Sequence, residues 1–350
     1  MADAALGELI ERVRAAAAAR TPLLILAGGS KDFYGNDSRG ERLDPRAYAG
    51  IVAHEPTELV ITARCGTRLA ELEAVLDAAG QMLPFEPPHF GAEATVGGCI
   101  AAGLAGPRRA SAGGVRDFVL GAKLLAGRGE MLSFGGTVMK NVAGYDVARL
   151  AAGSLGVLGV ITEVSLKVLP KPVTEATLRL ELDEAAALAR MNEWAGQPMP
   201  VSATAWRDGV LHVRLSGARA AVAQAQKKIG GDRAEGAALW HGLREHTDPF
   251  FHGATPLWRL ALPSTAQPLD LAGAQLIEWD GAQRWLRSDA PAGEIRARAA
   301  ALGGHATRFR GGERRDVFTP LPRPIAAIHK RLKAEFDPAG IFNLGRMYDG

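Results

Sequence analysis

The chain has 350 residues, 47% hydrophobic and 23% charged, which is enough for two cores and ordinary for a soluble globular protein. Its 41 basic and 38 acidic residues are interspersed and leave a formal net charge of +3, so no electrostatic footprint for nucleic acid stands out. The two cysteines, Cys65 and Cys99, exclude a disulfide framework and any four-cysteine zinc or iron–sulfur site built by this chain alone. Short apolar runs and an N-terminus carrying Asp3, Glu8 and Glu11 predict neither a signal segment nor a transmembrane span, and the expected compartment is the cytoplasm.

Residues 5–19 place Leu6, Leu9, Ile10 and Val13 on one face of a predicted surface helix. The apolar run 21–27 then opens into Ala27-Gly28-Gly29-Ser30-Lys31-Asp32, a strand entering two glycines and a hydroxyl, which offers bare N–H groups as an anion nest. The chain carries no G-x-x-x-x-G-K-[ST], so a Walker-type nucleotide site is not the explanation. Residues 50–63 read as two short strands around a proline turn, and 67–79 as a helix with Thr67 as N-cap and Leu69, Leu72 and Leu76 on its buried side. After the prolines of 83–88, nearly every position from Ala94 to Gly103 is small. Such backbone can lie against a planar ring system, or can form a tight helix–sheet contact; Cys99 within it is expected to be a small buried residue.

Glycines punctuate 135–170, where Gly153, Gly156 and Gly159 clear side chains from a loop. The spacing is not the dinucleotide fingerprint, because a strand follows these glycines where that motif requires a helix. The run 160–168 alternates apolar and polar residues as a half-buried strand does. Near Pro170-Lys171-Pro172 the glycine density falls, and all six tryptophans lie beyond it, which marks a domain boundary. Strands are expected at 174–183, 202–207, 210–216, 258–263 and 275–279, and helices at 183–195 and 218–229. The cluster His241-Gly242-Leu243-Arg244-Glu245-His246 matches neither H-E-x-x-H nor H-x-x-E-H and is expected on a solvated helix or loop. Arg259, a charge within an apolar strand, either clamps a carboxylate or points to solvent. Ile325, Ile328, Leu332 and Phe336 form the stripe of a C-terminal helix that stops at Asp337-Pro338.

Five segments in order resemble the FAD-binding domain of the vanillyl-alcohol oxidase and p-cresol methylhydroxylase (PCMH) superfamily, and within it the FAD-binding subunits of bacterial glycolate oxidases. They are Ala27–Ser30, Ala94–Gly98, Arg116–Gly121, Lys140–Asp146 and Gly153–Glu163, with Phe336–Asn343 as a typical ending. The resemblance implies an α+β chain: a two-subdomain PCMH-type FAD-binding domain over 1–172, a smaller α+β cap over 173–324, and a helix and tail over 325–350 that return to the FAD domain. It implies that Ala27, Gly28, Gly29, Ser30, Lys31 and Asp32 bind the pyrophosphate. Residues 94–106, among them Ala94, Thr95, Gly97, Gly98, Ala102 and Gly103, would line pyrophosphate and isoalloxazine, Val160 and Ile161 would hold the adenine side through backbone contacts, and Pro88, Gly156 and Gly159 would also contact the cofactor.

Two departures from the family qualify what carries over. Relatives that bind flavin covalently use His, Tyr or Cys; the first loop here offers Ser30 and Lys31, so non-covalent FAD is expected, with His89 and Cys99 as the alternatives. The hydroxy-acid dehydrogenase branch carries an H-G-H-x-G-D-G-N-type motif, of which His252-Gly253-Ala254 is the nearest fragment here. The expected function is that of a FAD subunit in a complex oxidising glycolate or a similar 2-hydroxy acid, with a catalytic FAD subunit and an iron–sulfur subunit as partners. Arg109 and Arg259 are the candidates for holding substrate, and the complex could sit peripherally on the inner membrane. The alternative from another class is a non-catalytic assembly or electron-relay subunit with structural FAD. A hydrolase using His241 and His246 with a metal is remote.

Overall fold

In the computed structural model, which describes residues 2–136 and 147–348, Val160–Lys167 is the middle strand of a five-stranded antiparallel sheet. The strand order is 51–55, 60–64, 160–167, 119–125, 131–135. β-Branched residues suit this place because their stiff side chains pack on a pleated surface. Alternation in the sequence suggested one wet face, yet Thr162 and Ser165 are as buried as their apolar neighbours. The burial is tolerated because the Thr162 hydroxyl donates to the Lys123 carbonyl at 3.0 Å and Ser165 Oγ meets Thr62 Oγ1 at 2.8 Å. The segment Lys140–Asp146 lies outside the described residues.

The helices Leu69–Ala78 and Val96–Ala102 cover one face, where Leu69, Leu72, Leu76 and Ile100 are fully enclosed with Ile61 and Val164. Thr67 does not cap the first of these: Arg68 occupies the N-cap, and the Thr67 hydroxyl instead donates to the Arg64 carbonyl at 2.6 Å and accepts from Gly50 N–H at 2.8 Å. A tertiary turn outcompetes the local cap. The N-terminal helix Ala2–Ala19 buries Leu9, Val13 and Ala16 on a small parallel pair, Leu23–Ile25 with Glu41–Leu43.

The second half forms a single eight-stranded antiparallel sheet, in the order 232–234, 174–181, 210–217, 201–207, 274–278, 283–287, 257–261, 305–310. It has eight strands against five in the main sheet of the first half. Strands 232–234, 283–287 and 305–310 went unforeseen because Arg and Gln punctuate them, and helix 292–301 because its apolar stripe is short; helix 237–245 was anticipated only as a solvated helix or loop over 241–246.

A buried ion network joins the halves. Glu86, from the first half, accepts from Arg108 Nε at 3.2 Å and from Arg214 Nη2 at 2.9 Å, and Arg108 Nη2 also reaches Glu175 at 2.7 Å. Burial alone would push the Glu86 carboxyl up, but Arg214 and Arg108 outweigh it and hold it below the ordinary carboxylate range. Trp279 Nε1 adds a bond to the Gly106 carbonyl at 3.0 Å. The C-terminal segment returns to the first half: Leu23 N–H donates to Ile341 O at 2.7 Å, and Asn343 N–H donates to Leu23 O at 3.0 Å.

Candidate functional site

The loop after the first strand turns at Gly29, with φ +69°, and Asp32 N–H closes the turn on the Gly29 carbonyl at 3.0 Å. A Cβ at Gly29 would meet nothing and would project into open space, whereas one at Gly28 would lie 1.6 Å from the Glu93 carbonyl. Gly28 is therefore small because the chain behind it is close, and Gly29 because of its left-handed backbone. The N–H groups of Gly28, Gly29, Ser30 and Lys31 have no acceptor among the described residues. They are free for an anionic oxygen.

This loop forms one wall of a cleft of about 110 Å³ that opens to solvent. Gly97, Gly98 and Ala101 form a second wall almost without side chains, and Gly156, Gly159, Val160 and Ile161 a third. Of the residues expected to bind cofactor, Ala27 to Asp32, Thr95, Gly97, Gly98, Ala102, Gly156, Gly159, Val160 and Ile161 all line this cleft. Three do not. Ala94 is enclosed in the core, Gly103 caps helix 96–102 with φ +63° where a Cβ would strike Gly153, and Pro88 lines a different pocket. Their smallness or stiffness serves packing, which composition alone does not distinguish from ligand contact.

Asn343 and Arg346 line the cleft too and were not foreseen. Asn343 Oδ1 accepts from Ile25 N–H at 2.7 Å and its Nδ2 donates to the Leu155 carbonyl at 2.7 Å, tying the first strand to the glycine loop. Arg346 Nη2 donates to the Asp32 carbonyl at 2.6 Å. Lys31 Nζ donates to the His89 carbonyl at 3.0 Å; burial lowers its pKa, with Cys99 and Glu245 pulling the other way. Among the described lining residues, Cys65 is the one side chain of a type that can attach a flavin, and burial raises its thiol far above the ordinary range. Cys99 is enclosed in the core, its thiol pushed up to about 12 by burial, and His89 bonds Glu73 outside the cleft at 2.9 Å.

A few residues beyond the cleft wall, Leu104, Ala105 and Gly106 line a second, small pocket of about 20 Å³ with Pro88, Phe90, Leu243, Arg244, His246, Arg259, Glu278, Gln283, Trp285 and Phe309. His246 was expected on a solvated helix or loop, yet it is only 7% exposed at the C-cap of helix 237–245. It stacks on Phe251 at 3.7 Å, and Phe90, Trp285 and Phe309 surround it. Arg259 does not turn to solvent: its Nε donates to Gln283 Oε1 at 2.7 Å and its guanidinium lies 5.2 Å from the Trp279 ring. Arg109 covers the same ring at 4.6 Å, and burial, then Arg259, lowers its pKa. Glu278 accepts from Trp285 Nε1 at 2.6 Å and Gln283 Nε2 at 3.2 Å; burial nonetheless pushes its carboxyl up to about 7.

Comparison with known proteins fits this geometry. The FAD binding domain family matches residues 5–149. The glycolate oxidase subunit GlcE of Escherichia coli is 50% identical over 97% of this chain and 96% of its own length. The glycolate oxidase subunit GlcD of Bacillus subtilis is 34% identical over 37% of this chain and 27% of its own. A solved alkyldihydroxyacetonephosphate synthase, at 15% identity, superposes over 96% of this chain and 74% of its own with a TM-score of 0.68, which speaks for the fold. The chain belongs to the glycolate oxidase GlcE family, a flavoprotein family of oxidoreductases with the PCMH-type fold, and its cofactor is FAD.

Proposed function

We propose that this flavoprotein is the GlcE-type subunit of a complex that oxidises glycolate, or a closely related 2-hydroxy acid, to the 2-oxo acid, and that it holds FAD non-covalently in the glycine-walled cleft. The observation that carries this reading is the 50% identity to a glycolate oxidase subunit over almost the whole chain. The chemistry supplied by bound FAD is acceptance of a hydride from the α-carbon of the acid.

The residues of the chain divide the remaining work. The free N–H groups of Gly28 to Lys31 bind the negatively charged pyrophosphate, and the Lys31 ammonium beside them adds charge. Gly97, Gly98 and Ala101 leave a surface bare enough for a ring to lie on backbone. Lys31 and Cys65, the nucleophile types in its lining, are held by a carbonyl and kept protonated by burial, so no nucleophile competes with the bound ring. With both cysteines enclosed, the electrons leave through another subunit, an iron–sulfur protein in this reading, alongside a catalytic FAD subunit.

The test is purification of the chain with its natural partners, followed by flavin and iron counts and glycolate turnover with an artificial electron acceptor. The expected result is one FAD per copy of this chain, released by acid, with iron in a partner and turnover in the complex exceeding that of the isolated chain. Absence of flavin from the reconstituted chain, or a complex inert towards glycolate, would overturn the reading. Flavin that precipitates with the protein would overturn only the non-covalent attachment.

A further inference from the structure

Two charged side chains behind the cleft, neither of them in its lining, converge on the glycine loop. Lys333, in the last turn of the C-terminal helix Arg323–Phe336, donates from Nζ to the Val157 carbonyl at 2.7 Å and to the Phe342 carbonyl at 2.8 Å, and pairs with Asp337. An ammonium has three donors, and each has its own acceptor here. Val157 follows Gly156 in the glycine loop, and Phe342 precedes Asn343.

Asp337 completes the arrangement. Its carboxylate is fully buried, with Oδ1 accepting from Ile341 N–H at 3.1 Å and Oδ2 from Phe342 N–H at 2.8 Å. Apolar residues of like volume hold a helix end at least as well as a buried ion pair, whereas charge-assisted hydrogen bonds fix direction. The direction fixed here leads to the cleft. Asn343 bridges Ile25 and Leu155, and a Cβ at Gly156 would lie 2.6 Å from Asn343 Nδ2, so a displacement of Phe342 or Val157 moves Asn343 and Gly156 against each other. Both line the cleft. On its other side the pair is fixed to the five-stranded sheet, where Gly127 N–H, just past strand 119–125, donates to the Phe336 carbonyl at 2.8 Å.

We infer that Lys333 and Asp337 are positioning residues for the flavin: through Val157 and Phe342 they set the glycine loop and Asn343 at the separation that FAD requires, and they govern how firmly the cofactor is held without touching it. A loosened wall removes no contact with the ligand. It lets the wall contacts adopt more than one geometry, and the ordering of the wall on binding then weakens affinity, chiefly through faster release. The rest of the helix is of another kind, since residues 322–331 are all exposed and the helix meets the body of the protein at Leu332, Lys333 and Phe336. The inference rests on the proposed seat of FAD in the cleft; the hold of the pair on the cleft wall rests on its own bonds.

The experiment measures FAD affinity, and FAD release on dilution, for the full chain stripped of cofactor and reloaded. Lys333→Met keeps the length of the side chain and removes its donors; it should raise the FAD dissociation constant at least tenfold and speed release accordingly. Lys333→Arg, which keeps the charge and donors, should recover part of that affinity. Asp337→Asn should weaken FAD severalfold and decides the matter if Lys333→Met does not fold. Leu188→Ala is the control: it hollows the core of the second half, where Leu188 packs with Trp194 and Trp206, and should lower the urea midpoint with FAD affinity unchanged. Unchanged FAD affinity in the deciding variant, a Lys333→Arg protein as weak as Lys333→Met, or an equal loss in Leu188→Ala would each overturn the inference. Gly29→Val, measured alongside, separates the two readings. If it leaves FAD affinity unchanged, FAD is not in the cleft and both readings fall; if it weakens FAD while Lys333→Met does not, this inference falls alone.

Discussion

The two adjoining cavities are built on opposite principles. The cleft is walled by backbone: glycines and alanines on three segments, free N–H groups, few charges of its own. The pocket is walled by side chains, with three aromatic rings, guanidinium groups, a buried carboxyl and an imidazole. A backbone wall suits a large ligand that needs area and a few fixed donors, while a side-chain wall suits a small ligand chosen by charge and size. A lesion in one should leave the other standing if the two are separable.

The largest effect is expected at the seam between the two halves that carry them. Glu86→Ala leaves Arg108 and Arg214 buried without their common carboxylate, and breaking a buried pair in this way costs about 3–5 kcal/mol. Urea unfolding should show that loss. A loss under 1 kcal/mol would mean that water reaches the network and that the halves are held mainly by apolar contact.

Gly29→Val comes next. The new side chain enters the cleft on a backbone with φ +69°, so FAD affinity should fall at least a hundredfold, about 3 kcal/mol, while the aromatic pocket around His246 keeps its packing. Unchanged FAD affinity in a folded variant would move the pyrophosphate elsewhere.

Glu278→Gln tests the pocket by its pH response. The folded carboxyl titrates at about 7, above its ordinary 4.5, so between those values the folded chain binds more protons than the unfolded one. This contribution is therefore lost as pH rises through that window. His246 acts in the opposite sense, being depressed in the folded state, so its contribution is lost as pH falls below about 6.5. It remains in both proteins. Relative to Glu278→Gln, the parent should lose about 2 kcal/mol between pH 5 and 7. Parallel stability profiles would show that Glu278 is hydrated in the folded chain.

The contrast in construction also explains what could be read beforehand. Backbone sites write themselves into contiguous sequence, since each approach demands a run of small residues; Ala27–Ser30, Gly97–Gly98 and Gly156–Gly159 were legible for that reason. Asn343 was not, because its value lies in bridging Ile25 and Leu155, residues distant in sequence. The pocket was illegible as a whole: Phe90, His246, Arg259, Glu278 and Phe309 come from separate elements of both halves. Arg259 was ambiguous in sequence since an arginine facing solvent and one stacked on Trp279 leave the same trace. His246 was misread because motif spacing was weighed, and the spacing concerns metals, whereas the ring is held by aromatic faces.

The return of residues 341–346 to the first strand sets an order of events during synthesis. Leu23 and Ile25 emerge early from the ribosome, but their partners Ile341 and Asn343 come after the whole eight-stranded sheet has been translated. Although domains generally fold from the N-terminal side as they emerge, the cleft lacks Asn343 and Arg346 until then. Cofactor loading into the finished cleft is in this sense a checkpoint on translation through residue 346, and a nascent chain stalled within the second sheet has no finished cleft to load.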